Sequence, residues 1–223
     1  MSTLPSSSPI PVLPGTRKRA RRKEARPGEL LEAALDLFVE KGFAATRVDE
    51  VAARAGVSKG TLFLYFPSKV ELFKAVVREN IGGRFAQWHI ELETFAGSTS
   101  DLLRYCYQVW WERIGSTKAS GITKLILTEA HNFPEITQFY EQEVIRPGRQ
   151  LIRRILQRGV ERTEFRPLHL DSAVYLVLAP MIFIMLWQHS LGPCMPHADA
   201  LTPEQYITMQ VDNILHGLCV QAP

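Results

Sequence analysis

Residues 46–69 read TRVDEVAARAGVSKGTLFLYFPSK, and the fold is decided there. Val48, Val51, Ala52 and Ala55 recur at helical spacing, and Thr46 with Asp49 three residues on has the form of a capping box that opens a short helix. Gly56 stops that helix, because glycine most easily takes the left-handed backbone of a helix end, and Val57 is placed to anchor the turn by packing inward. Ser58 caps a second helix that ends near Phe66. Two turns of helix, about 10 Å long, fit the ~12 Å wide major groove of B-DNA. Two short helices across a glycine turn make a helix-turn-helix. Pro67 closes the unit, and Ser68 with Glu71 repeats the capping-box spacing to launch the next helix.

Within the second helix Leu62 and Phe66 suit the face that packs on the first, which turns Lys59, Gly60, Thr61, Phe63, Leu64 and Tyr65 outward as candidate DNA contacts. Lys59 can meet a phosphate or a guanine, Gly60 lets the backbone come close, and Thr61 offers a hydroxyl and a methyl to base edges. Phe63 can meet a thymine methyl, and the Tyr65 hydroxyl a phosphate. A glycine turn between amphipathic helices also occurs in helical proteins that never touch DNA. Against that reading stand the two caps and the row of outward aromatics on a helix without acidic residues.

On these residues the block 30–76 resembles the N-terminal three-helix DNA-binding domain of the tetracycline-repressor (TetR) family. The family's pattern is matched by Ala55-Gly56-Val57-Ser58-Lys59-Gly60-Thr61-Leu62 and by Tyr65-Phe66. The resemblance implies Thr46 as a phosphate contact at a helix start, Lys59, Gly60, Thr61 and Phe63 as groove contacts, and Tyr65 and Lys69 as backbone clamps. The family often has tyrosine at 63 and histidine at 64. Phe63 and Leu64 lack those hydrogen bonds, which leaves the base sequence read open.

The net charge of +3 conceals an asymmetry: residues 1–27 carry seven basic side chains against Glu24, a balance of +6, while the rest of the chain sums to −3. A basic arm on a mildly acidic body points to a polyanion at the N-terminal end. Residues 1–14, rich in Ser and Pro, read as disordered and do not resemble a signal peptide, because the basic run follows the short apolar piece 10–13. Arg17, Arg19, Arg21 and Arg22 belong to a run that either is a solvated tail or tracks phosphates and the minor groove beside the helix-turn-helix. Cys106, Cys194 and Cys219 are too few and scattered for a disulfide framework, which fits a reducing cytoplasm, and they read as core residues.

The expected organisation is all-α: a disordered basic arm (1–27), a helix-turn-helix domain (28–78) and a helical effector-binding and dimerisation domain (79–223). A first helix over 28–41, with Glu29 and Glu32 in its first turn, stops at Gly42, after which Phe43 folds back into the core. Later helices are expected over 101–114, over 122–131 and from Pro134 with a bend at Pro147, and Arg149, Arg153 and Arg154 line the outer side of the last, a solvated face first and a site for acids second. Residues 173–187 hold fifteen residues without a charge, too short for a membrane span and broken by Pro180. They read as a helix with one face on a cavity and another on a second subunit, beside a last amphipathic helix over 203–218.

In the family the C-terminal helices form a ligand pocket and a dimer interface. Trp110, Trp111, Phe133, Tyr140, Tyr175, Met181, Phe183 and Met185 are the candidate walls of an apolar pocket, with Glu129 or His131 as its polar anchor. Residues 127–134 also resemble a segment of multidrug-efflux regulators, which implies a lipophilic or aromatic effector. His189, Cys194 and His197 lack a convincing fourth metal ligand, and no catalytic motif appears, so no metal, cofactor or enzymatic activity is expected. The expected function is a homodimeric, cytoplasmic repressor on a palindromic double-stranded operator, without membrane contact. The alternatives are an activator or global regulator without an effector, and a helical binding protein or enzyme that never meets DNA.

Overall fold

The computed structural model describes the backbone of residues 16–195 and 202–220 and the side chains of 27–195 and 202–220. Eleven α-helices run through the described residues: α1 (Thr16–Ala45), α2 (Val48–Arg54), α3 (Lys59–Tyr65), α4 (Lys69–Asn80), α5 (Phe85–Thr94), α6 (Thr99–Trp110), α7 (Gly121–Glu129), α8 (Pro134–Tyr140), α9 (Arg146–Glu161), α10 (Leu170–His189) and α11 (Pro203–Leu218). Among the described residues the one extended pairing is an isolated antiparallel bridge, Phe165 with Cys219. The all-α expectation holds.

The helix-turn-helix forms as its sequence dictates. Gly56 sits at φ 67°, Val57 N–H donates to the Ala52 carbonyl at 2.9 Å and Gly56 N–H to Ala53 at 3.1 Å, the paired bonds of a Schellman end. Ser58 Oγ then accepts from Thr61 N–H at 3.1 Å, and Ser68 Oγ from Glu71 N–H at 3.1 Å. Leu62 is fully buried against Val51 and Ala52 of α2. Beneath them Phe38, Phe43 and Phe73 pack edge to face and stacked, with centroids 5.3–5.7 Å apart.

Three expectations are corrected here. α1 begins at Thr16 and passes through Pro27, so no break in the backbone marks residue 27, and Glu29 and Glu32 are not in its first turn. Gly42 does end the regular helix, at φ 82° and ψ 171°. Thr46 forms no capping box: the cap of α2 is Arg47, without a side-chain bond. Residues 1–15, the side chains of Arg17, Arg19, Arg21 and Arg22, and His197 lie outside the described residues.

In the C-terminal domain α8 runs into α9 through a π-turn at Glu141–Ile145, and α6 ends in another at Trp111–Gly115. The first takes up the distortion expected at Pro147, which falls in the first turn of α9, where a proline needs no hydrogen-bond partner. α10 packs on α7, α9 and α11. By length and composition it could cross a membrane. Its residues Val174, Val177, Ile184 and Met185 are instead buried core.

Candidate nucleic-acid interface and effector cavity

Around α3 the exposed surface is basic and apolar. Phe63 is 41% and Leu64 83% exposed, Lys59 and Gly60 are exposed, and Thr61 and Tyr65 are half-buried. Thr61 shares a 2.9 Å hydrogen bond with Ser58 Oγ, and the Lys59 ammonium lies 6.0 Å from the Phe63 ring centroid. The nearby acids are already paired: Asp49 with Arg47 at 3.1 Å and Glu50 with Lys41 at 3.0 Å, and the Arg47 hydrogen bond holds the Asp49 carboxyl below its usual range. An ideal Cβ on Gly60 would meet only Ser58 Oγ, at 3.8 Å, so nothing inside the chain demands glycine there.

Two expected DNA contacts point inward. Thr46 is 1% exposed, and its hydroxyl donates towards the Gly42 carbonyl at 2.7 Å and the Leu37 carbonyl at 3.1 Å, so its side chain is unavailable to a phosphate. The Lys69 ammonium donates to the carbonyls of Phe43 (2.8 Å), Thr46 (3.1 Å) and Ala44 (3.2 Å) and lies 4.5 Å from the Phe43 ring centroid. It ties down the end of α1 rather than clamping a DNA backbone. Burial lowers its pKa, and the charge of Glu129 opposes that shift.

An apolar cavity of about 250 Å³ lies in the C-terminal domain, walled by α5, α6, α7, α9 and α10. Trp110, Tyr140, Tyr175, Met181 and Met185 line it as expected. Its polar wall includes Tyr140, whose hydroxyl bonds Thr123 at 3.0 Å, and Cys106. Burial pushes both the Tyr140 hydroxyl and the Cys106 thiol up to about 12, so both are neutral at ordinary pH. The other five candidates lie elsewhere. Trp111 donates to Glu204 of α11 at 3.3 Å, and Phe183 stacks on Tyr206 at 5.4 Å. His131 is exposed beyond the end of α7. Glu129 accepts from Ala44 N–H at 3.3 Å, and the Phe133 ring packs on Phe43 with centroids 4.8 Å apart, so both face the DNA-binding domain. The cysteines also divide: Cys194 is exposed rather than core. Among the described residues no group of His, Cys, Asp and Glu could hold a metal.

Residues 30–76 match the family model described as bacterial regulatory proteins, tetR family, and residues 96–196 match that of the tetracyclin repressor-like C-terminal domain. The two together span about two thirds of the chain, one on each domain. The chain belongs to the TetR family. Its helix-turn-helix is similar to that of the transcriptional regulator RutR of Escherichia coli, 48% identical over 64 residues, 29% of this chain and 30% of that protein. That match therefore covers less than a third of RutR. Over most of its length the chain is similar to the transcriptional repressor KstR2 of Mycobacterium tuberculosis, 28% identical over 202 residues, 89% of this chain and 96% of that one. Among solved structures, the fatty acid degradation regulator FadR of Bacillus halodurans superposes with a TM-score of 0.67 at 20% identity, covering 85% of this chain and 94% of that chain. That likeness is one of fold.

TetR-family chains are transcriptional regulators, not enzymes, which agrees with the sequence expectation. Within that frame the cavity holds residues that sequence reasoning missed. Phe85, Trp88, Tyr105 and Ile152 have the apolar spacing of any buried helix, and periodicity cannot tell a cavity wall from core. Arg149 did carry a signal, as a cation on an amphipathic helix, and the structure sets it in the cavity wall.

Proposed function

We propose that the chain is a homodimeric transcriptional repressor that holds a palindromic operator through α3 and is released by a compact lipophilic effector. One observation carries this reading: the elements that wall the cavity also grip the DNA-binding domain. On α7, Ile126 and Leu127 face the cavity while Glu129 holds the Ala44 amide. On the α8–α9 helix, Tyr140 and Val144 face the cavity while Glu135 pairs with Lys74 of α4 at 2.8 Å and Glu143 with Arg78 of α4 at 3.2 Å. An effector that favours one arrangement of these helices shifts α3, and DNA affinity falls by the ligand's differential binding to the two states.

The near full-length similarity to KstR2, a protein named as a repressor, supports the sign of regulation. Exposed apolar side chains on α10 and α11 support the dimer: Leu176 is 65%, Met209 63% and Phe183 45% exposed, apolar area that a lone chain leaves in water. Such a protein works beside the chromosome, in the cytoplasm. The efflux-regulator link suggested by residues 127–134 is not taken up, because Glu129 and Phe133 serve the domain junction. A gel-shift against the DNA upstream of the chain's own coding region, with and without small lipophiles, tests the reading. A retarded band that a lipophile dissolves supports it. Lys59→Ala and Tyr65→Ala that leave every cellular phenotype unchanged contradict it.

A further inference from the structure

We infer that the cavity takes an organic monoanion, an apolar body of one or two rings or a short chain whose carboxylate or similar head is received by Arg149 at the rim. This rests on the effector reading above and deepens it. Along α9 Arg158 is spent on the carbonyls of Leu92, Phe95 and Gly97, and three other arginines are paired with acids. Arg146 bonds Glu141 at 3.0 Å, Arg153 bonds Asp171 at 3.0 Å, and Arg154 bonds Glu93 at 2.7 Å and His89 Nδ1 at 3.1 Å. Arg149 lines the cavity and forms no salt bridge among the described residues; Asp171, held by Arg153, feels its charge without pairing with it.

What holds Arg149 instead is the ring of Tyr175, another wall residue, with the guanidinium carbon 5.1 Å from the ring centroid. A cation–π contact of this kind uses none of the guanidinium N–H donors, which are left to receive a carboxylate in a bidentate pair. The π-turn at Glu141–Ile145 inserts one residue ahead of this segment, and Val144, Ile145, Gly148 and Arg149 all line the cavity.

The remaining charge in the wall does not favour a cation. Glu91 is the one carboxylate lining the cavity among the described residues, and Arg113 neutralises it at 3.0 and 3.3 Å while the Tyr105 hydroxyl donates to it at 3.3 Å. Size narrows the ligand further. A dry cavity of ~150 Å³ holds benzene and drug-sized ligands need ~300–1,000 Å³, so this volume suits roughly ten carbons.

Intrinsic tryptophan fluorescence reads the test, since Trp88 and Trp110 line the cavity. The full-length protein is titrated with decanoate, decan-1-ol and decylamine. Decanoate should bind about tenfold more tightly than either of the others, the gain of one charge-assisted hydrogen-bonded pair. Arg149→Gln should erase that preference while leaving decan-1-ol within about twofold, and Arg149→Lys should keep part of it. Equal binding of all three ligands to the unaltered protein, or decanoate binding unmoved in Arg149→Gln, overturns this inference and leaves the lipophilic effector standing. Binding of none of them overturns both.

Discussion

An added Cβ at Gly60 would sit in ordinary contact with Ser58 Oγ and nothing nearer, on a helical backbone with no positive φ. Gly60→Ala should therefore raise stability by about 0.5–1 kcal/mol through helix propensity, read in urea melts, and still weaken operator binding, because what approaches this backbone is another molecule. Unchanged operator affinity would remove Gly60 from the interface. Thr46 behaves in the opposite way. Its buried hydroxyl bonds two carbonyls, so Thr46→Val should lower stability by about 1–3 kcal/mol. A melt within about 0.5 kcal/mol of the unaltered protein would show those bonds to be idle. Thr46 and Lys69 mark a limit of sequence reading. A hydroxyl and an ammonium look alike on paper whether they meet a phosphate or a carbonyl of their own chain, and the left-handed turn at Gly42 presents the carbonyls that take them.

At the scale of elements, what could be read in advance was whatever depends on local chemistry. The Gly56 turn rests on backbone hydrogen bonds, the Ser58 and Ser68 caps on side-chain oxygens three residues from the N–H they accept from, and the Gly42 stop on a positive φ; all are local, and each formed. The π-turns did not announce themselves, since no residue type demands one. The junction of α10 with α7 is another such tertiary detail. His189, at the end of α10, bonds Ser120 Oγ at 2.7 Å, and its carbonyl accepts from Lys124. Burial first and the Lys124 charge second lower its pKa below 6.5, outweighing the attraction of a helix C-terminus for a cation. Folded protein then binds fewer protons than unfolded protein just below pH 6.5, so this contribution is whole above that value and fades as pH falls through the window beneath it. Urea midpoints between about pH 5 and 7 should drop for the unaltered protein and drop less for His189→Gln. Parallel slopes would assign the pH dependence to other groups.

For the whole molecule, the two domains share helices rather than a linker. α1 lies against both α4 and α7, Lys118 reaches back to Asp36 at 2.7 Å, and Lys74 and Arg78 on α4 are held by Glu135 and Glu143 from the C-terminal domain. A cavity that changes shape under such helices cannot leave α3 where it was, provided two subunits fix the frame. A dimer then places two α3 helices in successive major grooves, with half-sites about 34–36 Å apart. Dimethyl sulfate footprinting on the upstream operator reads this directly, because the reagent attacks guanine N7 in the major groove and adenine N3 in the minor groove. Two clusters of N7 protection one helical turn apart, both lost together when effector is added, are expected. A single cluster, or protection confined to the minor groove, would contradict the account.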